Sequence, residues 1–260
     1  DAELPEEARR DLESGDYLFG RGACDMKGGD AVFLVLAKHL AEQAEKSHGN
    51  LLLSFNPVEE TLHRGIIEEL PLLRKLQEQH NLTFRLAINN DFICPMYAGD
   101  TTRYVYTDAV GKLLPMFYII GRETHVAQCF EGFSPDLIAA ELTRIIDRNP
   151  DFCDGYNGEY TLPSTVLKMQ DLKPHYNVQT PRTAAVYFNY FVHNRQLTEI
   201  MAQLKNTART ALNNVMQSAD ERYRTYCEIS GNRYSSLSEK TQVIDYRELC
   251  PRAREPAFLR

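Results

Sequence analysis

The sequence has no long apolar run and no excess of basic residues. Its longest apolar stretches, such as residues 31–37, are far shorter than the roughly 20 residues that a membrane-spanning helix needs. Its start has neither the basic region nor the apolar core of a signal peptide. The formal net charge is -7, whereas phosphate binding favours a basic surface. We therefore expect neither a membrane nor a nucleic acid as a partner.

Cysteine motifs are also absent. The six cysteines are scattered, without a CxxC pair or the spacing of a zinc finger. Three disulfides are one interpretation of the even count. However, a 260-residue chain with 43% hydrophobic residues can bury a core without them. We favour free thiols in a reducing compartment, which predicts a cytoplasmic protein.

The N-terminal part of the chain predicts an α/β layer. Apolar residues at helical spacing predict helices over 30–46 and 66–78. Short apolar runs that end at turn residues predict strands over 17–19, 51–55 and 84–88. Alternation of strands and helices through short links favours a largely parallel sheet.

The pattern changes near residue 108. The elements expected after it are a strand, a helix, two strands, a helix and a final strand, over 112–120, 135–148, 164–169, 183–192, 197–217 and 241–246. This order predicts a second, smaller α+β region with an antiparallel sheet.

Carboxylates follow three of the predicted strand segments. They are Asp25 in a glycine-rich loop, the adjacent Glu59 and Glu60, and Asp91 after two asparagines. In open α/β sheets, ligands bind outside the carboxyl ends of the strands, so these acids can converge on one crevice. A two-metal hydrolase needs a bridging carboxylate, further ligands and a carboxylate that takes the proton from water. The three positions together favour such a site.

Each acid also has a purely structural interpretation. Asp25 before a helix can be an N-terminal cap. The Glu59-Glu60 pair can be a solvated loop, and Asp91 can belong to a turn. A magnesium site for phosphoryl chemistry is a further alternative, since that ion prefers carboxylates. The chain has no P-loop, however, and Asp25 in the glycine-rich loop would repel phosphate.

Residues 20–29, Gly-Arg-Gly-Ala-Cys-Asp-Met-Lys-Gly-Gly, closely resemble the signature of the M20 metallopeptidase family. The resemblance implies part of a zinc-peptidase-like α/β catalytic domain with a ferredoxin-like α+β lid domain inserted. It implies that Asp25 bridges two divalent metal ions, usually zinc, and that Glu59 is the general base. Glu60 and Asp91 match the positions of further metal ligands.

Two segments resemble the substrate-contacting parts of the family's lid. Residues 121–125, Gly-Arg-Glu-Thr-His, resemble a segment whose histidine polarises the scissile carbonyl in the partner subunit's active site. Residues 177–181, Asn-Val-Gln-Thr-Pro, resemble a segment that holds the substrate carboxylate. The resemblance thus implies a catalytic His125, a substrate-binding Asn177 and a homodimer formed through the lid.

The resemblance divides the chain into three parts. Residues 1–108 correspond to a partial catalytic domain and residues 109–220 to a lid and dimerisation domain. Residues 221–260 correspond to a lid extension or a return to the catalytic domain. The family's His-x-Asp motif before the first signature is absent, and no histidine follows His193. We therefore interpret the chain as a fragment whose two-metal site is incomplete.

The implied function is metal-dependent cleavage of an amide bond in a small peptide or an N-acyl amino acid by metal-activated water. Residues 111–115 and 121–132 resemble the RocB-type arginine-utilisation proteins of the family. Residues 189–191 read Asn-Tyr-Phe where the family usually has Asp-x-Arg, so an arginine for a substrate carboxylate is missing. The alternative is a non-catalytic binding or assembly protein on an incomplete M20 scaffold.

Overall fold

The computed structural model describes residues 4–46, 48–59, 63–93, 95–236 and 241–254. It is a mixed structure of helices and sheet, the class that the sequence predicts. The chain divides into two compact units, residues 1–105 and 106–260. The finer limits at residues 109, 220 and 221 stay predictions.

Helices dominate the first unit. They are α1 (Glu6–Ser14), α2 (Gly29–Glu42) and α3 (Arg64–His80). The helices predicted over 30–46 and 66–78 are confirmed as α2 and α3. Helix α1, which is short and follows Pro5, has mostly charged residues and no long apolar stripe that predicts it.

The segments predicted as strands in the first unit do not pair. Among its described residues, 17–19, 51–55 and 84–88 take part in no β-ladder. A strand is held by the hydrogen bonds of a neighbouring strand, and these segments lack that support. Their apolar side chains stay largely in solvent; Leu18 is 81% exposed and Leu86 is 77% exposed.

The second unit contains an antiparallel sheet around one central strand. The strands of this unit are β1 (Gly111–Leu113), β2 (Met116–Ile120), β3 (Gly155–Tyr156), β4 (Glu159–Tyr160), β5 (Thr165–Asp171) and β6 (Thr183–Val192), of which β3 and β4 form a separate two-stranded sheet. Strands β1, β2 and β5 all pair with β6, and β3 pairs with β4. The predicted strand over 112–120 is interrupted at Pro115, which has no N–H for a ladder. The Pro115 carbonyl still accepts from the Phe188 N–H at 3.1 Å.

The hydrophobic core lies between this sheet and two helices, α4 (Pro135–Ile146) and α5 (Leu197–Ser230). Alternate residues of β6 are fully buried on the helix side: Ala184, Val186, Phe188 and Tyr190. Helix α5 adds an apolar stripe at intervals of three and four residues: Ile200, Leu204, Ala208, Ala211 and Val215. Burying one large apolar side chain contributes roughly 1.5–3 kcal/mol, so this layer is the main source of stability in the unit.

The C-terminal part of the chain differs from its prediction. Helix α5 continues to Ser230, well beyond the predicted end at residue 217. The strand predicted over 241–246 is wrong, because helix α6 (Tyr246–Ala253) begins there. In the part of the chain that the structure describes, no helix combines the length and the apolar character needed to cross a membrane.

Candidate active site

The loop that carries Asp25 leads directly into α2. Gly22 has a φ of 77°, a left-handed conformation that favours glycine. The Lys27 N–H then donates to the Gly22 carbonyl at 3.1 Å and closes the loop. Asp25 itself has non-helical dihedrals, its peptide bond to Met26 is cis, and its side chain is exposed. The loop therefore presents the Asp25 carboxylate to solvent just before the helix begins.

The first signature touches the segment of the third predicted acid. A Cβ placed on Gly29 would lie 2.5 Å from Nδ2 of Asn90, so a larger residue at position 29 would displace the Asn90 side chain. Asn90 Nδ2 is buried and has no hydrogen-bond partner among the residues that the structure describes. The neighbouring Asp91 is exposed, and its Oδ1 accepts from the Phe92 N–H at 2.7 Å. The structure thus brings the Asp25 loop and the Asp91 segment together through the Gly29–Asn90 contact.

The general-base candidate pairs with a histidine. Glu59 precedes α3, and its Oε1 lies 3.3 Å from Nδ1 of His63, with both side chains more than half exposed. His63 is the N-cap position of α3. Glu60, the predicted metal ligand next to Glu59, lies outside the described residues. Sequence reasoning missed the Glu59–His63 pair, although a spacing of four residues is its signal.

The described carboxylates do not form a complete metal site. Within residues 4–46, 48–59, 63–93, 95–236 and 241–254, no three His, Cys, Asp or Glu side chains come close enough to hold a metal ion. In the described part of the chain, Asp25 and Asp91 therefore do not form a metal site together with a third His, Cys, Asp or Glu side chain. A two-metal centre does not fit these residues on their own.

In the second unit, the predicted substrate residues lie on two paired segments. The Val126 N–H donates to the Val178 carbonyl at 3.0 Å, and the Thr180 N–H donates to the Thr124 carbonyl at 2.8 Å. His125 itself forms an antiparallel bridge with Gln179. The structure thus places His125 and Asn177 on neighbouring backbone, although more than 50 residues separate them in the sequence.

The orientation of the His125 ring follows from a local hydrogen bond. Its Nδ1 accepts from the Ala127 N–H at 3.1 Å and caps the 3-10 turn Val126–Gln128. An acceptor Nδ1 leaves the proton of the neutral ring on Nε2. His125 is exposed, so its Nε2–H can donate to an oxygen atom that approaches from solvent.

The Asn177 segment is held by its own polar contacts. Asn177 Oδ1 accepts from the Gln179 N–H at 3.1 Å, which leaves the side-chain NH₂ as a donor. Lys173 Nζ donates to the carbonyls of Asn177 and Gln179 at 3.3 and 2.7 Å. Nearby, burial and then the Asp171 carboxylate raise the pKa of Asp136, whereas Lys173 opposes this shift.

The strand position expected to carry an arginine does not supply a cation. In β6, Tyr190 is buried in the core, and Phe191 stands at the expected place of the arginine. The guanidinium of Arg195 is near, but its Nη1 donates to the Tyr190 hydroxyl at 2.8 Å. The side chains of 189–191 therefore offer no positive charge to a substrate carboxylate.

Comparison with known proteins agrees with the signature in the first unit. Residues 3–224 match the peptidase family M20/M25/M40, and the chain belongs to that family. Protein RocB from Bacillus subtilis (strain 168) is 38% identical over 252 residues, which cover 97% of this chain and 44% of that protein. The uncharacterized protein YqjN from the same strain is 36% identical over 256 residues, which cover 98% of this chain and 46% of that protein.

These findings confirm the M20 resemblance and the likeness to RocB-type proteins. The chain spans less than half the length of both curated relatives. No solved structure matches it.

Proposed function

We propose that this chain acts in an M20-type hydrolase that cleaves an amide bond in a small peptide or an N-acyl amino acid. The observation that carries the proposal is the pairing of the His125 and Asn177 segments. It places two residues with implied substrate contacts on neighbouring backbone. Membership of the peptidase family supports hydrolysis as the type of reaction.

The proposal gives His125, Asn177 and Glu59 distinct roles in the reaction. The Nε2–H of His125 donates to the amide carbonyl oxygen and stabilises the negative charge that develops on it. The Asn177 side-chain NH₂ donates to the substrate carboxylate. Glu59 takes the proton from the attacking water, and His63 orients the Glu59 carboxylate from 3.3 Å.

Metal dependence also belongs to the proposal. The family resemblance implies two divalent ions, usually zinc, with Asp25 as the bridge and Glu60 and Asp91 as further ligands. Since the described residues alone do not fit a complete centre, metal content has to be measured directly. A role in arginine utilisation, which the subfamily resemblance implies, is equally a proposal.

A homodimer is part of the same proposal, since the family resemblance has His125 acting in the partner subunit's active site. Strand β2 supports it, because it exposes Met116, Tyr118 and Ile120 on the face opposite the helices. Sedimentation equilibrium tests this point, and a purely monomeric protein would remove the role in trans from His125.

The test of the function is Glu59→Ala in the full-length protein. Loss of a general base typically lowers turnover by about 10²–10⁴-fold, and we expect that loss while metal content stays unchanged. Turnover is measured as amine release from N-acetyl amino acids and dipeptides. Glu45→Ala, at an exposed glutamate of the same unit, is the matched control. Near-normal turnover in Glu59→Ala would contradict the assignment.

The second candidate function is non-catalytic binding or assembly on an M20 scaffold. Two observations favour it: the described residues hold no three-ligand group, and Phe191 stands in place of the arginine. The flanking coding sequence separates the two functions. A His-x-Asp motif upstream and a histidine downstream support the enzyme, whereas a complete gene without them supports the scaffold.

A further inference from the structure

The loop that carries His125 is tightly organised. The backbones of Arg122 and Phe133 exchange two hydrogen bonds of 2.9 Å and close its base. Inside the loop, the Gln128 N–H donates to the His125 carbonyl, and the Glu131 N–H donates to the Gln128 carbonyl, both at 2.8 Å. These bonds connect Glu131, the neighbour of Phe130, to His125 through the backbone. We call residues 122–133 the His125 loop.

One aromatic residue anchors this loop to the end of α5. The ring centroid of Phe130 lies 4.8 Å from that of Tyr223 and 5.1 Å from that of Tyr226. These separations are in the range of favourable aromatic pairs. Phe130, Tyr223 and Tyr226 form what we call the aromatic clamp.

The end of α5 is itself braced. The Tyr234 hydroxyl donates to the Asp220 carboxylate, with its oxygen 2.7 and 2.8 Å from the two carboxylate oxygens. The Arg224 guanidinium lies 4.9 Å from the centroid of the Tyr234 ring, and that ring is 5.7 Å from Tyr223. The segment after the helix thus fixes the face of α5 that contacts Phe130.

This part of α5 does not belong to the main core. The stripe that packs on the sheet ends at Val215, and the next buried residue of the helix is Cys227, beside the clamp tyrosines in the sequence. The last turns of α5 contact the His125 loop through Tyr223 and Tyr226.

We propose that Phe130 is a positioning residue for His125. The clamp holds the loop so that Nδ1 faces the Ala127 N–H and Nε2–H faces solvent. The inference rests on the proposed function, in which that Nε2–H meets the substrate carbonyl. The clamp would make the donor part of a rigid frame, which is the condition for effective stabilisation of a developing charge.

The first experiment measures amide hydrogen exchange of Ala127 and Val126 in the intact protein. We expect Phe130→Ala to raise both exchange rates by about tenfold or more, because the loop opens locally. The β6 amides of Phe188 and Tyr190 report global unfolding and should keep their protection. Unchanged exchange at Ala127 and Val126 would overturn the proposal, and so would an equal rise in β6, which indicates general destabilisation.

Further variants keep this test decisive. Tyr226→Ala removes the other side of the clamp from a half-exposed position and should reproduce the effect even if Phe130→Ala folds poorly. Phe130→Tyr retains the ring and should restore protection. Ile229→Ala, at an exposed residue of the same helix end, is the control and should change nothing.

A second readout links the clamp to the chemistry. In the full-length protein with N-acetyl amino acids as probe, we expect Phe130→Ala to lower kcat and to have no further effect in a His125→Ala background. Additive losses would overturn the positioning role. If the wild-type protein hydrolyses none of these probes or dipeptides, the proposed function fails, and the exchange experiment still decides whether Phe130 positions the His125 loop.

Discussion

Asp154 is a buried carboxylate that organises the turn after β6. It is 3% exposed, and its Oδ2 accepts the N–H groups of His193, Asn194 and Arg195 at 2.7, 2.8 and 2.8 Å. Burial opposes ionisation, but the hydrogen bonds from Arg195, His193 and Asn194 outweigh it, and the pKa of Asp154 is lowered. The charge of this residue therefore stabilises the turn between β6 and α5.

We expect Asp154→Asn to lower the free energy of unfolding by roughly 1–3 kcal/mol at pH 7, because a neutral oxygen accepts these bonds more weakly. The pKa is lower in the folded state, so the unfolded chain takes up the proton first on acidification. The stabilisation is complete above about pH 5 and is lost as the pH falls through the folded-state pKa. Urea unfolding at several pH values measures the difference.

The matched control for this substitution is Asp151→Asn, at an exposed neighbour that should behave as the wild type. The difference in the free energy of unfolding between the wild type and Asp154→Asn should become smaller toward low pH. A gap that is independent of pH would show that the charge is not the cause.

Single residues of the candidate site could be named from the sequence, but their neighbours could not. A signature in ten consecutive residues points to Asp25, whose metal role stays a prediction. The Gly29–Asn90 contact joins segments that lie far apart in the chain. In the sequence, a glycine at position 29 directly after Gly28 is the only indication of this close approach. The Phe130 contacts with α5 also depend on the fold, and no local pattern announces them.

At the scale of elements, the sequence predicted the central strand β6 and most of helix α5 correctly. The strand predicted over 183–192 is β6 and the helix predicted over 197–217 is the first part of α5. In both elements the buried residues follow the period of the structure. The end of α5 was misplaced because the stripe fades after Val215, although the helix continues. The prediction of a strand over 241–246 did not take Asp245 and Glu248 into account. Their spacing of three residues is typical of a capping box at the start of a helix.

A lysine of α5 contacts the N-terminal end of helix α6. Lys205 Nζ lies 3.4 Å from Asp245 Oδ2 and also contacts Glu248 Oε2. The Glu248 contact raises the pKa of Lys205. The backbone N–H of Glu248 lowers the pKa of Asp245. The hydrogen bond from Lys205 lowers the pKa of Glu248. The three charges therefore couple the cap of α6 to the N-terminal third of α5.

We expect Lys205→Met to release α6 without unfolding the sheet. The amides of Leu249 and Cys250 should exchange faster in hydrogen exchange at pH 7, whereas those of β6 should not change. The attachment requires ionised carboxylates and a protonated lysine. It should weaken as the pH falls below about 4 through the lowered carboxyl pKa values, or rises above about 10 through the raised lysine pKa.

The control for this variant is Arg222→Met, at an exposed residue of the same helix. Unchanged exchange in α6 of the Lys205→Met protein would mean that packing of α6, rather than the ion pairs, holds it in place.

At the scale of the whole molecule, the two units differ in how they bury apolar side chains. The described core lies in the second unit, and in the described part of the first unit no apolar residue is buried. Hydrophobic content predicts that a core exists, but a strand also needs a neighbour with which to pair. Local periodicity could therefore predict helices α2 and α3 of the first unit. It could not predict whether segments 51–55 and 84–88 find a neighbouring strand.

Metal content separates the enzyme from the scaffold for the chain as a whole. If Asp25 bridges two ions, the purified chain should contain two equivalents of zinc by mass spectrometry, and Asp25→Ala should lose them because a bridging ligand serves both ions. Asp30→Ala, at the next acid along the chain, is the control and should retain them. Zinc lost only in Asp25→Ala would mean that residues beyond the described carboxylates complete the centre. Absence of stoichiometric metal from the wild-type chain would contradict a working two-metal site in these 260 residues and favour the scaffold function for this chain.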